Sequence, residues 1–322
     1  MLRGTGGRQL PDKRITIAGS FVADLAFRSK SAPAWGQTIL GSSFRIGPGG
    51  KGSNQAVAAA RLAGKVSFIS KLGKDTFGDL ARRTYIEEGI DTRFMFETIE
   101  HSTGAAAIII DENTGENAII VVPGAGYQLT EGEIAQASSC IAESAIFLTQ
   151  LELAVPTVER GLKLAHDLRV PTILNPAPAM PLPESVYQLC DYLTPNETEA
   201  AALTGMPVTC IEEAERAAGA LLNRGARCVV VTLGAQGALV KNARLTKHVP
   251  AVNAGPVVET TGAGDAFNAG LAIALAEGRE IVAATQFGCA VAGVSVTRPG
   301  TAPSMPKRFE VDALLKNVNR SG

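Results

Sequence analysis

The chain reads Thr260-Thr-Gly-Ala-Gly-Asp-Ala-Phe267 immediately before a long Ala-rich segment of helical period. Glycines at 262 and 264 let successive backbone N–H groups point into one concavity. The start of the following helix adds partial positive charge, which favours an oxyanion. A carboxylate there, Asp265, would repel a phosphate unless it takes a proton from an attacking hydroxyl. A second interpretation stays open, in which Asp265 only caps a helix after a glycine turn.

Outward from this stretch, short apolar runs alternate with segments of helical period. The runs that predict strands are Ile15–Gly19, Val66–Ser70, Ala145–Thr149, Thr172–Leu174, Tyr192–Thr194 and Cys228–Thr232. The segments that predict helices are 52–63, 76–88, 156–168, 196–204 and 211–224. This alternation predicts an α/β fold in which a mostly parallel sheet is covered by helices on both faces.

Two stretches interrupt the alternation and predict a second, smaller sheet. Residues of about 25–48 hold a short apolar and polar run, and 104–122 predict a hairpin with its turn at Asn113-Thr-Gly115. A small sheet with one uncovered apolar face needs a partner, such as a ligand-bound core or a second subunit.

Composition narrows the function classes. The chain has 322 residues, 46% hydrophobic and 19% charged, and a formal net charge of −1. No basic field therefore indicates nucleic acid or an anionic membrane surface, and no apolar run is long enough for a membrane span. Five scattered cysteines favour a reducing, cytoplasmic setting over a disulfide framework or a zinc site. Residues 1–14 predict a flexible extension and lack the apolar region of a secretory signal.

A second glycine-rich segment, residues 47–55, reads Gly-Pro-Gly-Gly-Lys-Gly-Ser-Asn-Gln. Its glycines allow close backbone approach to a ligand, and Lys51 and Asn54 supply donors, although the spacing is not that of a Walker A loop. Taken alone, it is also typical of a flexible loop before an Ala-rich helix. Two further segments are equally ambiguous in isolation: 194–199 is typical of a helix cap, and 232–237 of a strand followed by a glycine turn.

The order of these segments resembles the ribokinase branch of the PfkB sugar-kinase family, over about residues 15–317. The segments that carry the resemblance are Gly-Ser-x-x-x-Asp (19–24), Gly-Gly-Lys-Gly-x-Asn-Gln (49–55), Gln-Leu-Glu (150–152), Asn-Pro-Ala-Pro (175–178), Thr-Pro-Asn-Glu-Thr-Glu (194–199), Thr-Leu-Gly-x-x-Gly (232–237) and Gly-Ala-Gly-Asp (262–265). The resemblance implies a doubly wound α/β domain over 15–322, with a small β-sheet lid formed by about 25–48 and 100–124. Such lids often pair, so a homodimer is expected.

By the same resemblance, Asp265 is the base for a sugar hydroxyl and the amides of Gly262, Ala263 and Gly264 form the anion hole. The implied sugar-binding positions are Val22, Ala23, Asp24, Gly50, Lys51, Gly52, Ser53, Asn54, Glu152 and Asp265. The implied ATP-binding positions are Asn196, Thr232, Leu233, Gly234, Ala235, Gln236, Gly237, Gly264 and Cys289. Mg²⁺ is expected to arrive with ATP and to keep several waters.

The resemblance also implies a monovalent-cation loop, with K⁺ as the expected activator. Its positions are Glu259, Thr261, Ser295, Arg298, Gly300 and Ser304. Glu259 departs from the family pattern, which has Asp there, and the additional methylene changes the reach of the carboxylate.

Val22 is a second departure, because ribose kinases of this family carry Asn at that position. Valine cannot pair with a buried sugar hydroxyl, and an unpaired hydroxyl costs roughly 1–3 kcal/mol. The expected activity is therefore ATP-dependent phosphorylation of the 5-hydroxyl of ribose or 2-deoxyribose. The alternatives are a family kinase for fructose, a sugar acid or an adenosine-type nucleoside, and a non-catalytic sugar-sensing relative.

Overall fold

The computed structural model describes residues 14–321, with side chains up to residue 317. The extension predicted for residues 1–14 therefore lies outside the described residues, except for Arg14, which begins the first strand. Between residues 14 and 321, no helix combines the length and apolar character that crossing a bilayer requires.

The main sheet has nine strands in the order β13-β12-β11-β10-β9-β8-β1-β4-β5. Its strands are β1 (Arg14–Ala18), β4 (Lys65–Gly73), β5 (Met95–Thr98), β8 (Ile146–Gln150), β9 (Thr172–Asn175), β10 (Tyr192–Leu193), β11 (Cys228–Thr232), β12 (Ala238–Asn242) and β13 (Thr246–Val249). The strands from β5 to β11 are parallel, and β12 and β13 extend the sheet antiparallel at one edge. The six predicted strands are confirmed to within a few residues.

Helices cover both faces of this sheet, as predicted. They are α1 (Lys51–Arg61), α2 (Thr76–Glu87), α3 (Glu131–Gln136), α4 (Ser138–Ala142), α5 (Val155–Asp167), α6 (Glu184–Gln188), α7 (Glu197–Thr204), α8 (Ile211–Asn223), α9 (Ala263–Ala276), α10 (Ile281–Ser295) and α11 (Arg308–Ser321). One face packs against α1, α2, α9, α10 and α11, and the other against α3 to α8. Alternating residues of β11 point to opposite faces of the sheet. Val230 packs in the core on the α1 side, and Val229 and Val231 pack in the core on the α3 to α8 side.

The smaller sheet has four strands in the order β3-β2-β6-β7. They are β2 (Val22–Ser29), β3 (Ser43–Gly49), β6 (Gly104–Asp111) and β7 (Asn117–Val122). β2 thus begins three residues before the predicted boundary at 25, which places Val22 and Asp24 inside this sheet. β7 is exposed along its whole length although it is mainly apolar.

Candidate active site

Polar side chains collect at the carboxyl ends of the central parallel strands. Gln150 ends β8, Asn175 ends β9, and Thr194 directly follows β10. All three side chains are buried. Because the carboxyl ends of parallel strands meet at one edge of the sheet, this edge is where such folds bind ligands.

Direct backbone contact places the start of α1 at the same edge. A Cβ built on Gly19, after β1, would lie 2.6 Å from the Cα of Gly52, and a Cβ on Gly52 would lie equally close to Gly19. Only two glycines fit this contact. It carries Lys51, Asn54 and Gln55, all in the first turns of α1, into the edge where β8 and β9 end.

Asp265 lies in the first turn of α9 and is 6% exposed. The side-chain amide of Asn54 donates to its Oδ2 at 2.9 Å, and that of Gln55 donates to its Oδ1 at 3.0 Å. Burial raises the pKa of Asp265, while the Lys51 ammonium and the two amides lower it, and the net pKa lies above its usual value. The carboxylate is held in one orientation and is a stronger proton acceptor than an exposed aspartate.

A buried amide network fixes the groups that hold Asp265. The Gln55 side chain also donates to Oδ1 of Asn175 at 3.1 Å and accepts from Nε2 of Gln150 at 2.5 Å. Gln55 and Gln150 are both 0% exposed. Sequence analysis quoted these three residues within its motifs but gave none of them a role. Their residue types could have indicated such a network, because buried side-chain amides require hydrogen-bonding partners.

The network returns to α9 along a second branch. Asn175 donates to the Thr194 carbonyl at 3.2 Å, and the Thr194 hydroxyl donates to Oδ1 of Asn268 at 2.6 Å. Asn268 in turn donates to the Gly264 carbonyl at 2.8 Å. Sequence analysis did not identify Asn268. Its position three residues after Asp265, on the same face of a helix, was the only signal.

Lys51 is surrounded by carboxylates. Burial lowers its pKa, but the charges of Asp265, Glu152 and Glu199 raise it more, so the net pKa is raised. Glu152 accepts from the Lys51 backbone N–H at 2.8 Å and from the Ser20 hydroxyl, and burial raises its pKa. Burial likewise raises the pKa of Glu199. The site therefore carries excess negative charge around a single ammonium group.

Asp24 of β2 extends the site into the small sheet. The Thr301 hydroxyl donates to its Oδ2 at 2.8 Å. Burial raises the pKa of Asp24 to about 6, the Thr301 hydrogen bond lowers it, and the charges of Asp265 and Glu259 raise it. Asp24 and Asp265 therefore lie close enough to interact. A Cβ at Gly49 would fall 2.3 Å from Oδ2 of Asp24, so only glycine fits there.

Two predicted sugar-binding residues have side chains directed elsewhere. Ala23 neighbours Val22 and Asp24 on β2, so its side chain points to the opposite face, where it is fully buried in the core. Ser53 is fully buried beside the phenol of Tyr85. Either residue can offer a ligand only its backbone.

The residues predicted to bind ATP converge at the ends of β10 and β11. Asn196 caps α7 in a capping box with Glu199, in which each side chain accepts from the backbone of the other. Asn196 also forms an isolated parallel β-bridge with Thr232. After Thr232 and Leu233, Gly234–Gln236 (with Ala235 between) forms a 3₁₀ turn, which the Leu233 N–H closes by donating to the Gly237 carbonyl at 2.8 Å.

The other predicted nucleotide positions lie on α9 and α10. A Cβ on Gly264 would meet nothing within 4 Å, so open space adjoins its backbone. The Ala263 N–H, expected in the anion hole, donates instead to the Thr260 carbonyl at 3.1 Å. Gly262 is the N-cap of α9 and Gly264 lies in its first turn, where backbone N–H groups have no intrahelical acceptor. Cys289 is buried within α10, and burial raises its pKa to about 12.

The predicted cation loop is formed by two segments that meet. The Glu259 carboxylate accepts from the Gly300 N–H at 2.8 Å, and the Glu259 N–H donates to the Val296 carbonyl, next to Ser295. Hydroxyl groups of Ser295 and Ser304 donate to the carbonyls of Ala292 and Thr301, both at 2.8 Å. Thr261 is half-buried nearby in sequence, and Arg298 is paired with Glu310.

Among the residues that the structure describes, no group of three or more His, Cys, Asp or Glu side chains is arranged to hold a metal ion. The Glu259 carboxylate and the hydroxyls of Ser295 and Ser304 in the predicted cation loop all make hydrogen bonds to backbone groups.

Known proteins resemble this chain over nearly its whole length. A ribokinase from Haemophilus influenzae is 38% identical over 95% of this chain and 99% of its own length. A deoxyribokinase from Salmonella typhimurium is 36% identical over 91% and 95%, respectively. The solved structure of Arabidopsis thaliana ribokinase complexed with ribose and ATP has a TM-score of 0.88 at 30% identity, covering 96% of this chain and 99% of that one. A ribokinase structure from Thermotoga maritima has a TM-score of 0.85 at 37% identity, covering 94% and 99%.

The family model described as pfkB family carbohydrate kinase matches residues 12–308. This match includes both glycine-rich segments, Asp24 and Asp265. The chain belongs to the pfkB family of carbohydrate kinases.

Proposed function

We propose that this chain transfers the γ-phosphoryl group of ATP to the 5-hydroxyl of ribose or 2-deoxyribose. The observation that supports this most directly is the environment of Asp265. Its carboxylate is buried at a helix start, fixed by amides on both oxygens, and close to Lys51 and Asp24. Such a group can accept a proton beside amides that stabilise a transferring anion.

In the proposed step, the sugar O5–H bond breaks and its proton passes to Asp265. The O5 oxygen forms a bond to Pγ as the bond from Pγ to the β,γ-bridging oxygen breaks, and ADP leaves with that electron pair. The amides of Gly262 and Gly264 and the Lys51 ammonium offset the charge on the transferring group. Alignment and charge stabilisation are the main demands of phosphoryl transfer.

Sugar hydroxyl groups would be bound by Asp24, Lys51, Asn54 and Glu152, with the backbone of Gly50 and Gly52 close to the ring. Val22, 4% exposed, has no polar atom to offer. This property supports 2-deoxyribose as a second candidate substrate, and the similarity to a deoxyribokinase supports it too.

The nucleotide would lie against Asn196 and the turn from Thr232 to Gly237, with its phosphates directed to Gly264 and its adenine near Cys289. Mg²⁺ would enter with ATP and supply charge neutralisation at the phosphates. Burial raises the pKa of Glu199, and the charges of Lys51 and Asp265 act on it, so Glu199 lies near both of these residues.

Further proposals concern activation and assembly. The Glu259, Thr261, Ser295, Arg298, Gly300 and Ser304 loop would bind K⁺ beside the anion hole, and the Glu259 bond to Gly300 supports a closed loop. The small sheet would act as a lid, and the exposed apolar strand β7 supports pairing of two lids in a homodimer. A cytoplasmic location, where ATP is available, suits five free cysteines.

A sugar panel with ATP and Mg²⁺ tests the proposed function. The panel should contain ribose, 2-deoxyribose, fructose, a sugar acid and adenosine, with ADP release and the phosphorylated product both measured. We expect a pentose 5-phosphate as the main product. A larger kcat/KM for fructose, the sugar acid or adenosine identifies the corresponding alternative, and sugar binding without turnover identifies a sensing protein.

A further inference from the structure

Thr301 connects two parts of the chain that are far apart in sequence. It directly precedes the 3₁₀ turn Ala302–Ser304, and only 9% of it is exposed. Its hydroxyl donates to Oδ2 of Asp24 at 2.8 Å, and the Pro48 carbonyl oxygen lies 3.1 Å from the Thr301 hydroxyl oxygen. A hydroxyl has one proton to donate, and the shorter, charge-assisted bond to the carboxylate is the stronger one.

The position of Thr301 is fixed by its surroundings. Arg61, the last residue of α1, donates from Nη1 to the carbonyls of Ala302 at 3.1 Å and Met305 at 2.9 Å. The same guanidinium forms an ion pair with Glu88 at 2.6 Å. Because the turn is held in this way, the Thr301 hydroxyl is a built-in partner of Asp24 and not a mobile surface group.

This partner changes what Asp24 can offer to a sugar. A carboxylate binds a vicinal diol best when each of its oxygens accepts from one hydroxyl, by analogy with other bidentate pairs. In this chain one lone pair of Oδ2 accepts from Thr301, so a sugar hydroxyl must share that oxygen with Thr301. Val22 lies two residues from Asp24 on the same face of β2, and its side chain cannot form a hydrogen bond with a sugar hydroxyl.

We propose that Thr301 is a specificity-determining residue, which competes with one hydroxyl of a vicinal diol for Oδ2 of Asp24 and thereby favours a 2-deoxypentose over its vicinal-diol counterpart. The proposal rests on the proposed pentose kinase function. It adds a residue that lies outside every sequence motif quoted above, 277 positions from Asp24. A sugar that lacks this hydroxyl loses nothing to the competition, whereas ribose buries a hydroxyl with a weakened hydrogen bond.

The test compares kcat/KM for ribose and 2-deoxyribose in the wild type, Thr301→Ala and Thr301→Ser. Alanine frees Oδ2, and we expect the ribose to 2-deoxyribose ratio to rise by about 5- to 30-fold, the factor that corresponds to one or two kcal/mol. Serine keeps the hydroxyl and should leave the ratio within about twofold of the wild type. Thr297→Ala is the matched control, because the Thr297 hydroxyl donates to the Val294 carbonyl within the same C-terminal region.

Equilibrium binding of each sugar without nucleotide provides a readout that does not depend on turnover. The affinity of Thr301→Ala for ribose should rise by a similar factor. Val22→Asn should also favour ribose, and the double variant should depart from additivity because both changes act on one edge of the sugar. If the alanine variant does not fold, Thr301→Cys removes most of the hydrogen bond with little change in volume.

The activity of the wild type tests the proposed pentose kinase function, and the variants test the role of Thr301. If the wild type phosphorylates neither pentose, the proposed function is wrong. If it phosphorylates both and Thr301→Ala leaves both the kinetic and the binding ratio unchanged, the role of Thr301 is wrong while the pentose kinase function stands. A serine variant that shifts the ratio as far as alanine also overturns the proposal.

Discussion

The side-chain amide of Gln55 donates to Oδ1 of Asp265 at 3.0 Å, and it has no freedom to do anything else. Its second donor hydrogen has Asn175 as its acceptor, and its oxygen accepts from Gln150. A rotation of the amide by 180° would place its oxygen against two other oxygens, those of Asp265 and Asn175, which is unfavourable. Oδ1 of the proposed base is therefore oriented by Gln55, which Asn175 and Gln150 hold in turn, and none of these three side chains is proposed to bind a substrate.

Replacing Gln55 with Leu should raise the pKa of Asp265, because a donor to its charged form is lost. The acid limb of the kcat/KM profile should move to higher pH, and kcat should fall by at least about 10-fold as the carboxylate loses its alignment. The pH profile is the measurement that separates this positioning role from a general loss of stability. Gln136→Leu, on the exposed face of α3, is the control. An unshifted acid limb would contradict the role of Gln55.

Asp265→Asn should retain sugar and ATP binding while kcat falls by about 10²- to 10⁴-fold, since the amide preserves the shape but not the proton acceptance. Binding can be measured by calorimetry and turnover by ADP release. If turnover persists at more than a tenth of the wild-type rate, another group is the base.

Asp24 should lower the stability of the substrate-free protein at neutral pH. Its pKa is raised from 3.8 to about 6 by burial, so the folded state binds its proton more tightly than the unfolded state does. The resulting stability is present below about pH 4 and is lost as pH rises through about 6. Asp24→Asn should therefore be more stable than wild type at pH 8 by at most about 3 kcal/mol, reduced by partial solvent contact.

Chemical denaturation at pH 8 and at pH 4.5 measures this difference, which should shrink at the lower pH. Sugar binding should weaken in the same variant. Asp79→Asn, on the exposed side of α2, should show no comparable gain. A less stable Asp24→Asn at pH 8 would show that the hydrogen bond from Thr301 outweighs the cost of burying the charge.

Replacing K⁺ with a large organic cation should reduce turnover several-fold if the loop from Glu259 to Ser304 binds the ion. Glu259→Asp, which restores the family residue, should retain or increase the response to K⁺. Identical rates in both salts at equal ionic strength would exclude activation by K⁺.

Ile120→Lys should convert a homodimer into a monomer, because Ile120 lies on β7 and is 69% exposed. Light scattering after size exclusion measures the mass, which is 33.4 kDa for one chain. Ile99→Lys is the control, since Ile99 is 85% exposed and lies outside the small sheet. A wild type that elutes as a monomer would remove the proposal that the lids pair.

Six of the seven parallel strands of the main sheet could be predicted, because each contains a short, mainly apolar run. β5 was not predicted, because it has only four residues and is not fully buried. β12 and β13 were not predicted: both are short, and the polar residues Lys241 and Asn242 of β12 and Thr246 and Lys247 of β13 weaken the apolar pattern. Asp265 could be identified from its glycines and its place along the chain. The contact between Thr301 and Asp24 could not, because it depends on how two distant loops pack and leaves no local pattern.

α1 has a consequence for how variants of this protein will behave. The helix starts at Lys51 beside the proposed reaction centre and ends at Arg61, about 15 Å along its axis at 1.5 Å per residue. From that far end, Arg61 holds the backbone that presents the Thr301 hydroxyl to Asp24. From sequence alone, a substitution at Arg61 would be expected to affect only stability. Its first measurable effect should instead be poorer discrimination between ribose and 2-deoxyribose, at temperatures where the protein remains folded.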